Sequence, residues 1–173
     1  MSAHLKPPVS DKDHSQGDAG ASIELVEYGD YQCPHCGAAY PVIKEIQKVF
    51  GSQVRFVFRN FPLSEIHPYA VPAAIATEAA GMQHKFWEMH DIIFEHQSSL
   101  DPQGIRKMAE TIGLDMETFA SDMDLEILQA KVEADFESGV RSGVNGTPSF
   151  FVNGTKFDGG AADLLELLRQ NAS

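Results

Sequence analysis

The sequence predicts an α/β domain of the order βαβ…ββα, with a block of helices inserted between its two halves. Three observations predict it. A strand, a helix and a second strand follow one another between Ser22 and Phe61; no convincing strand occurs from Pro62 to Gly143; and a hairpin signal followed by a Leu-rich helix closes the chain. Residues 1–21 then form an N-terminal extension, 22–61 and 144–173 the two parts of the α/β domain, and 62–143 an all-helical insertion.

The elements run in order along the chain. "SIELVEY" (Ser22 to Tyr28) mixes β-branched and apolar residues and stops at Gly29-Asp30, so it reads as a strand. From Pro34, the positions Val42, Ile43, Ile46, Val49 and Phe50 recur at helical spacing up to Gly51. Pro34 suits a first helical turn, where a missing N–H costs nothing, and Pro41 is expected to kink the helix. "QVRFVFRNF" (Gln53 to Phe61) alternates and gives a second strand, parallel to the first through a right-handed crossover.

In the insertion, Pro68 is expected to open a helix over "YAVPAAIATEAAGM" that bends at Pro72. "HKFWEMHDIIFEHQ" is the next helix, with Phe86, Trp87, Ile93 and Phe94 among its apolar positions, which packing of the helical block explains. Asp101-Pro102 reads as an N-cap and first-turn pair, with Gly113 at the other end. "DMETFASDM" is a short helix, and "LEILQAKVEADFESGVRSG" a longer one. "PSFFV" and "TKFDG" flank Asn153-Gly154 as an antiparallel hairpin, and "AADLLELLRQ" is the terminal helix.

The chain has 173 residues, and 13 Lys plus Arg stand against 25 Asp plus Glu, for a net charge of −12. With no basic run, nucleic acid and anionic membrane surfaces are excluded as main partners. No stretch approaches the ~18 apolar residues of a membrane span. The opening "MSAHLKPPVSDKDHSQGDAG" lacks the apolar core of a signal peptide and is the only part whose composition argues for disorder. As written, the chain is expected in the cytoplasm; a removed leader would place it in the periplasm or elsewhere outside the cytoplasm. The two Asn-Gly-Thr triplets, at Asn145 and Asn153, read as turns rather than glycan sites.

Both cysteines of the chain fall in one tetrapeptide, Cys33-Pro34-His35-Cys36. A disulfide so short in sequence removes little entropy from the unfolded chain, so it is a poor structural staple. A zinc site needs more ligands than one cysteine pair, and His84, His90 and His96 are spaced too far apart to share a helix face. Redox chemistry accounts for the placement. Cys33 stands where strand meets helix, so unpaired N–H groups and the helix dipole favour its thiolate, the nucleophile of disulfide exchange. Cys36 lies one turn on, within disulfide reach, and can resolve a mixed disulfide. A protonated His35 adds positive charge beside Cys33 and stabilises the dithiol form.

With "VEYGDYQCPHC" after a strand and "GVNGTPSFFVNG" (Gly143 to Gly154) ahead of the closing hairpin, the chain resembles the DsbA-like branch of the thioredoxin superfamily. The resemblance covers about residues 22 to 171. It implies a thioredoxin-like fold with an inserted helical domain, and a thiol–disulfide oxidoreductase acting on cysteine-containing protein substrates with a separate redox partner. It implies no cofactor beyond the Cys33–Cys36 pair, and no metal. It further implies a cis Thr147–Pro148 peptide against the cysteines, with the Thr147 backbone open to an added substrate strand. Glu27, six residues before Cys33, would take and return the proton of Cys36, since an ionisable residue in a buried strand needs a reason. Two features pull apart: Pro34-His35 is the dipeptide of strongly oxidising members, whereas Thr before Pro148 is that of isomerases and reductases. The other function class is a redox- or metal-responsive thiol binding protein on the same fold; a glutathione-linked enzyme is disfavoured by the intact cysteine pair.

Overall fold

The computed structural model describes residues 3–171. One mixed sheet runs in the order β1-β3-β2-β4-β5, from strands β1 (His14–Gly17), β2 (Ile23–Gly29), β3 (Val54–Asn60), β4 (Ser149–Val152) and β5 (Thr155–Phe157). Helix α1 (Pro34–Phe50) is the crossover between β2 and β3, which pair in parallel with Glu27 opposite Phe58. β4 returns antiparallel to β2, with Glu27 opposite Phe150. Between β3 and β4 stand five α-helices: α2 (Ala70–Met82), α3 (Phe86–Glu95), α4 (Pro102–Thr111), α5 (Met116–Asp122) and α6 (Glu126–Arg141). Helix α7 (Ala161–Asn171) closes the fold beside α1.

The two-residue period of a strand sorts the sheet into two buried faces. Leu25, Phe56, Phe58 and Phe150 point to the core that contains Cys36, Ile43, Ile46, Met89 and Ile93. Val26, Tyr28, Val57 and Phe151 point the other way, against Leu5, Phe61 and Val144. Glu27 shares the parity of Leu25 and therefore faces the cysteine side. On the opposite face α6 packs close: a Cβ at Gly139 would stand 2.6 Å from the Phe61 ring, so the approach of helix to sheet requires glycine there. At the closing hairpin, Asn153 (φ 48°) and Gly154 (φ 84°) both adopt positive φ, as a type I′ turn demands.

Two expectations are corrected. The N-terminal segment joins the sheet: β1 pairs antiparallel with β3, and Leu5 is buried. Arg59, itself buried, fixes this segment with Nε and Nη2 on the two Asp13 oxygens at 2.8 and 3.0 Å and with Nη2 on the Pro7 carbonyl at 3.0 Å. An edge strand needs only backbone pairing, so "HSQG" carries no β-branched signature for it. Pro68 lies in a turn before α2 rather than opening it, and Pro72 falls in the helix's first turn, where no intrahelical N–H is owed. Helix α1 runs through Pro41 to Phe50 as one helix, although Pro41 cannot donate to the carbonyl four residues back.

Candidate active site

β2 ends at Gly29, and the buried carboxylate of Asp30 shapes the turn from this strand into α1. Its Oδ1 accepts from the backbone N–H of Gln32 (2.8 Å) and Cys33 (3.2 Å), an Asx-type turn that aims the chain into the helix. Its Oδ2 accepts from Leu63 N–H (2.9 Å) and lies 2.8 Å from His67 Nδ1, joining the turn to the segment after β3. Cys33 then takes the N-cap position with extended backbone (φ −69°, ψ 123°), and Pro34 is the first helical residue. From the segment after α3, Gln97 Nε2 donates to the carbonyls of Tyr31 (2.9 Å) and Cys33 (2.7 Å), clamping the loop to the helical insertion.

Cys33 and Cys36 are both free thiols and both buried. Their acidities are driven apart. Cys33 is lowered to about 5, first by a hydrogen bond from the Cys36 thiol, which with Thr147 and the backbone N–H groups of Cys36 and His35 overrides the opposing effect of burial. Cys36 is pushed far up by burial, by its bond to Cys33 and by the negative charge of Glu27. The Cys36 sulfur also accepts from Asp30 N–H at 3.5 Å. As a thiol, Cys33 Sγ donates to the Thr147 carbonyl at 3.7 Å. One sulfur is thus a ready nucleophile and the other a proton-holding thiol.

Of the other sequence-predicted positions, the Thr147–Pro148 peptide is cis and brings Thr147 to Cys33. Glu27 is 3% exposed and sits between Phe58 and Phe150 on the neighbouring strands. Burial, then the charge of Cys33, raises its carboxyl to about 8. Glu27 and Cys36 line one narrow cavity. Pro34 and His35 are exposed at the start of α1, and His35 meets Cys33 through its backbone N–H rather than through its ring. Beside Pro34 lies an open groove of about 650 Å³ lined by Gln32, Tyr69, Gln97, Leu100 and Asp101. Among the described residues no three His, Cys, Asp or Glu side chains gather as a metal ion would require, and no helix is long and apolar enough to cross a membrane.

Sequence reasoning missed Asp30 and Gln97. The first was legible as an Asx residue three before the helix cap. The second was not, because its partners are backbone carbonyls more than 60 residues away.

The family model described as Thioredoxin matches residues 9–168. Among solved structures, BdbD from Bacillus subtilis in its oxidised form superposes with a TM-score of 0.84 at 25% identity, covering 98% of this chain and 96% of that one. A thioredoxin-like oxidoreductase from Silicibacter pomeroyi DSS-3 gives 0.82 at 25% identity, covering 94% of each. In sequence, the chain is 41% identical over 155 residues to a protein of Salinispora arenicola named Na(+)/H(+) antiporter NhaA 1. That match takes in 90% of this chain but 24% of the relative, so the chain spans about a quarter of the length of the curated relatives it matches. With a thiol of lowered pKa at a helix N-cap, a buried partner one turn on and a cis-proline against them, the chain belongs to the thioredoxin family and has the fold of its DsbA-like members.

Proposed function

We propose that the chain exchanges disulfides with cysteines of protein substrates through Cys33 and Cys36. The observation that carries this is the opposed acidity of two thiols one helical turn apart. Cys33 forms the mixed disulfide with substrate, which removes the thiolate charge that helps hold a proton on Glu27; Cys36 then resolves it, its proton passing to the ionised form of Glu27. The Thr147 backbone and the polar groove beside Pro34 receive the substrate peptide as an extended segment. The active pair is the only redox group used, and electrons pass on to a separate redox partner. A Cys33 thiolate stabilised near pH 5 favours the dithiol form, which makes the disulfide an oxidant suited to an oxidising compartment outside the cytoplasm.

The test is a pair of variants. Cys33→Ser is expected to abolish oxidation of a dithiol peptide and reduction of insulin; retained activity would overturn the reading. Cys36→Ser is expected to accumulate mixed disulfides with proteins, and finding none would favour a thiol sensor that changes state without turnover.

A further inference from the structure

Behind the resolving cysteine lies a buried imidazole, His90, that makes and breaks no bond in the exchange itself. The cavity lined by Glu27 and Cys36 is also walled by Tyr40, Lys44, His90 and Phe94. It offers ≈ 10 Å³ to the centre of a water, about the room one water occupies. His90 is 3% exposed and ringed edge-on by Phe58, Trp87 and Phe94, with centroids 4.9, 5.0 and 5.1 Å away. Its Nδ1 stands 2.9 Å from Asp91 Oδ1. A carboxylate only accepts, so Nδ1 carries the proton and Nε2 of the neutral ring presents a lone pair. That Nε2 is buried with no protein partner among the described residues. A site serving packing alone would be better filled by an apolar ring, because a buried acceptor without a donor is costly.

We propose that His90, oriented by Asp91, is a positioning residue that holds a water between Glu27 and Cys36, and that this water is the path by which the Cys36 proton leaves the buried site. The inference rests on Cys36 resolving a mixed disulfide. In that step the Cys36 proton passes through the water to the ionised form of Glu27; the sulfur attacks Cys33 Sγ, the Cys33–Cys36 bond forms, the Cys33–substrate bond breaks, and the substrate departs as a thiolate that takes a proton from solvent. The water donates one hydrogen to His90 Nε2, which leaves its oxygen turned toward the acid being relieved of its proton. Glu27, Cys36 and Nε2 give it three polar partners, within the two to four a buried water uses. From each side the charged and titratable groups that face His90 are Asp91 on its own helix, Lys44 and Tyr40 on α1, Tyr31 ahead of α1, Glu27 on β2 and His14 on β1. Burial, Lys44 and His14 keep the ring neutral against the pull of Asp91, so it stays an acceptor through neutral pH. Lys44 Nζ, 2.9 Å from Asp91 Oδ2, closes the half-exposed outer edge.

The experiment is rapid mixing of the reduced chain with saturating oxidised glutathione, acid quenching and mass analysis, which separates formation of the Cys33 mixed disulfide from its resolution by Cys36. For His90→Phe, formation is expected to match the wild-type chain. Resolution is expected to slow about ten-fold, less than the full contribution of a positioned acid or base because Glu27 remains. His90→Gln, whose amide oxygen replaces Nε2 as acceptor, is expected to recover most of the rate. A merely space-filling His90 predicts the reverse order, phenylalanine at least as fast as glutamine, and that order would overturn the proposal. Asp91→Asn tests the same point at the helix rim should the buried variant not fold: its amide can donate to Nδ1, turn Nε2 into a donor and slow resolution with a changed pH profile, whereas a wild-type rate and profile would sink the proposal. A wild-type chain that forms no mixed disulfide at all would instead remove the functional reading, and this inference with it.

Discussion

Replacing Glu27 with glutamine should stabilise the protein at neutral pH while slowing its chemistry. Glu27 is buried between Phe58 and Phe150; its carboxyl has no ion pair or hydrogen bond among the described residues and is raised from 4.5 to about 8. The folded chain therefore holds a proton there that the unfolded chain releases between pH 4.5 and 8. Unfolding in that window loses a proton, so stability falls as pH rises. From 4.5 to pH 7 the difference is about 2.5 units, or about 3 kcal/mol at 1.36 kcal/mol per unit. Glutamine matches the neutral acid in size and has no proton to lose, so it avoids this cost. Guanidinium unfolding of both reduced proteins at pH 4 and pH 7 is the assay. The stabilities should nearly coincide at pH 4 and separate by about 3 kcal/mol at pH 7, with Glu27→Gln the more stable. An advantage that stays constant with pH would refute the buried, proton-holding state of Glu27.

Other outcomes are expected at the same site. Because Cys33 is ionised above about 5 while Cys36 stays a thiol, reduction consumes one proton rather than two. Between pH 5 and pH 7 the reduction potential should fall by about 70 mV instead of the about 120 mV of an ordinary dithiol; the larger fall would mean Cys33 is not a thiolate. Thiolate absorbance should show Cys33 shifted up by about 1–2 units in Cys36→Ala, the worth of one hydrogen bond to a charged group. In His35→Ala the shift should be smaller, since the ring is exposed and its backbone N–H remains; a larger shift than in Cys36→Ala would reverse that ranking. Asp13→Ala strands the buried Arg59 guanidinium and should cost about 3–5 kcal/mol in denaturant unfolding. Burial opposes the Asp13 charge, but the Arg59 hydrogen bond holds its carboxyl below 3.8. That stability is therefore present above 3.8 and fades only in stronger acid; a loss under 1 kcal/mol in the variant would show the pair is dispensable.

Local patterns determined much of this protein. Alternation in "SIELVEY" and "QVRFVFRNF", helical spacing after Pro34, and Asn153-Gly154 yield the βαβ and hairpin units, because each signal lives within one element. The pair Cys33-Cys36 at a helix start carries its chemistry in its spacing: the thiols share a helix face, and the N-terminal N–H groups lie beside the first. Parity along β2 even decides that Glu27 faces the side of Leu25 once one face is known. Tertiary structure alone decided the rest. β1 joins the sheet through backbone hydrogen bonds that leave no mark on "HSQG"; Pro72 is harmless because α2 begins at Ala70; and Gln97 and His90 matter only because folding lays the helical insertion against the α1 N-terminus and the cavity behind Cys36. Acidity belongs to that second class. A pKa depends on desolvation and on partners brought from distant sequence, so the sequence names the two thiols and the carboxyl, while the packed core sets one thiol near 5 and the carboxyl near 8.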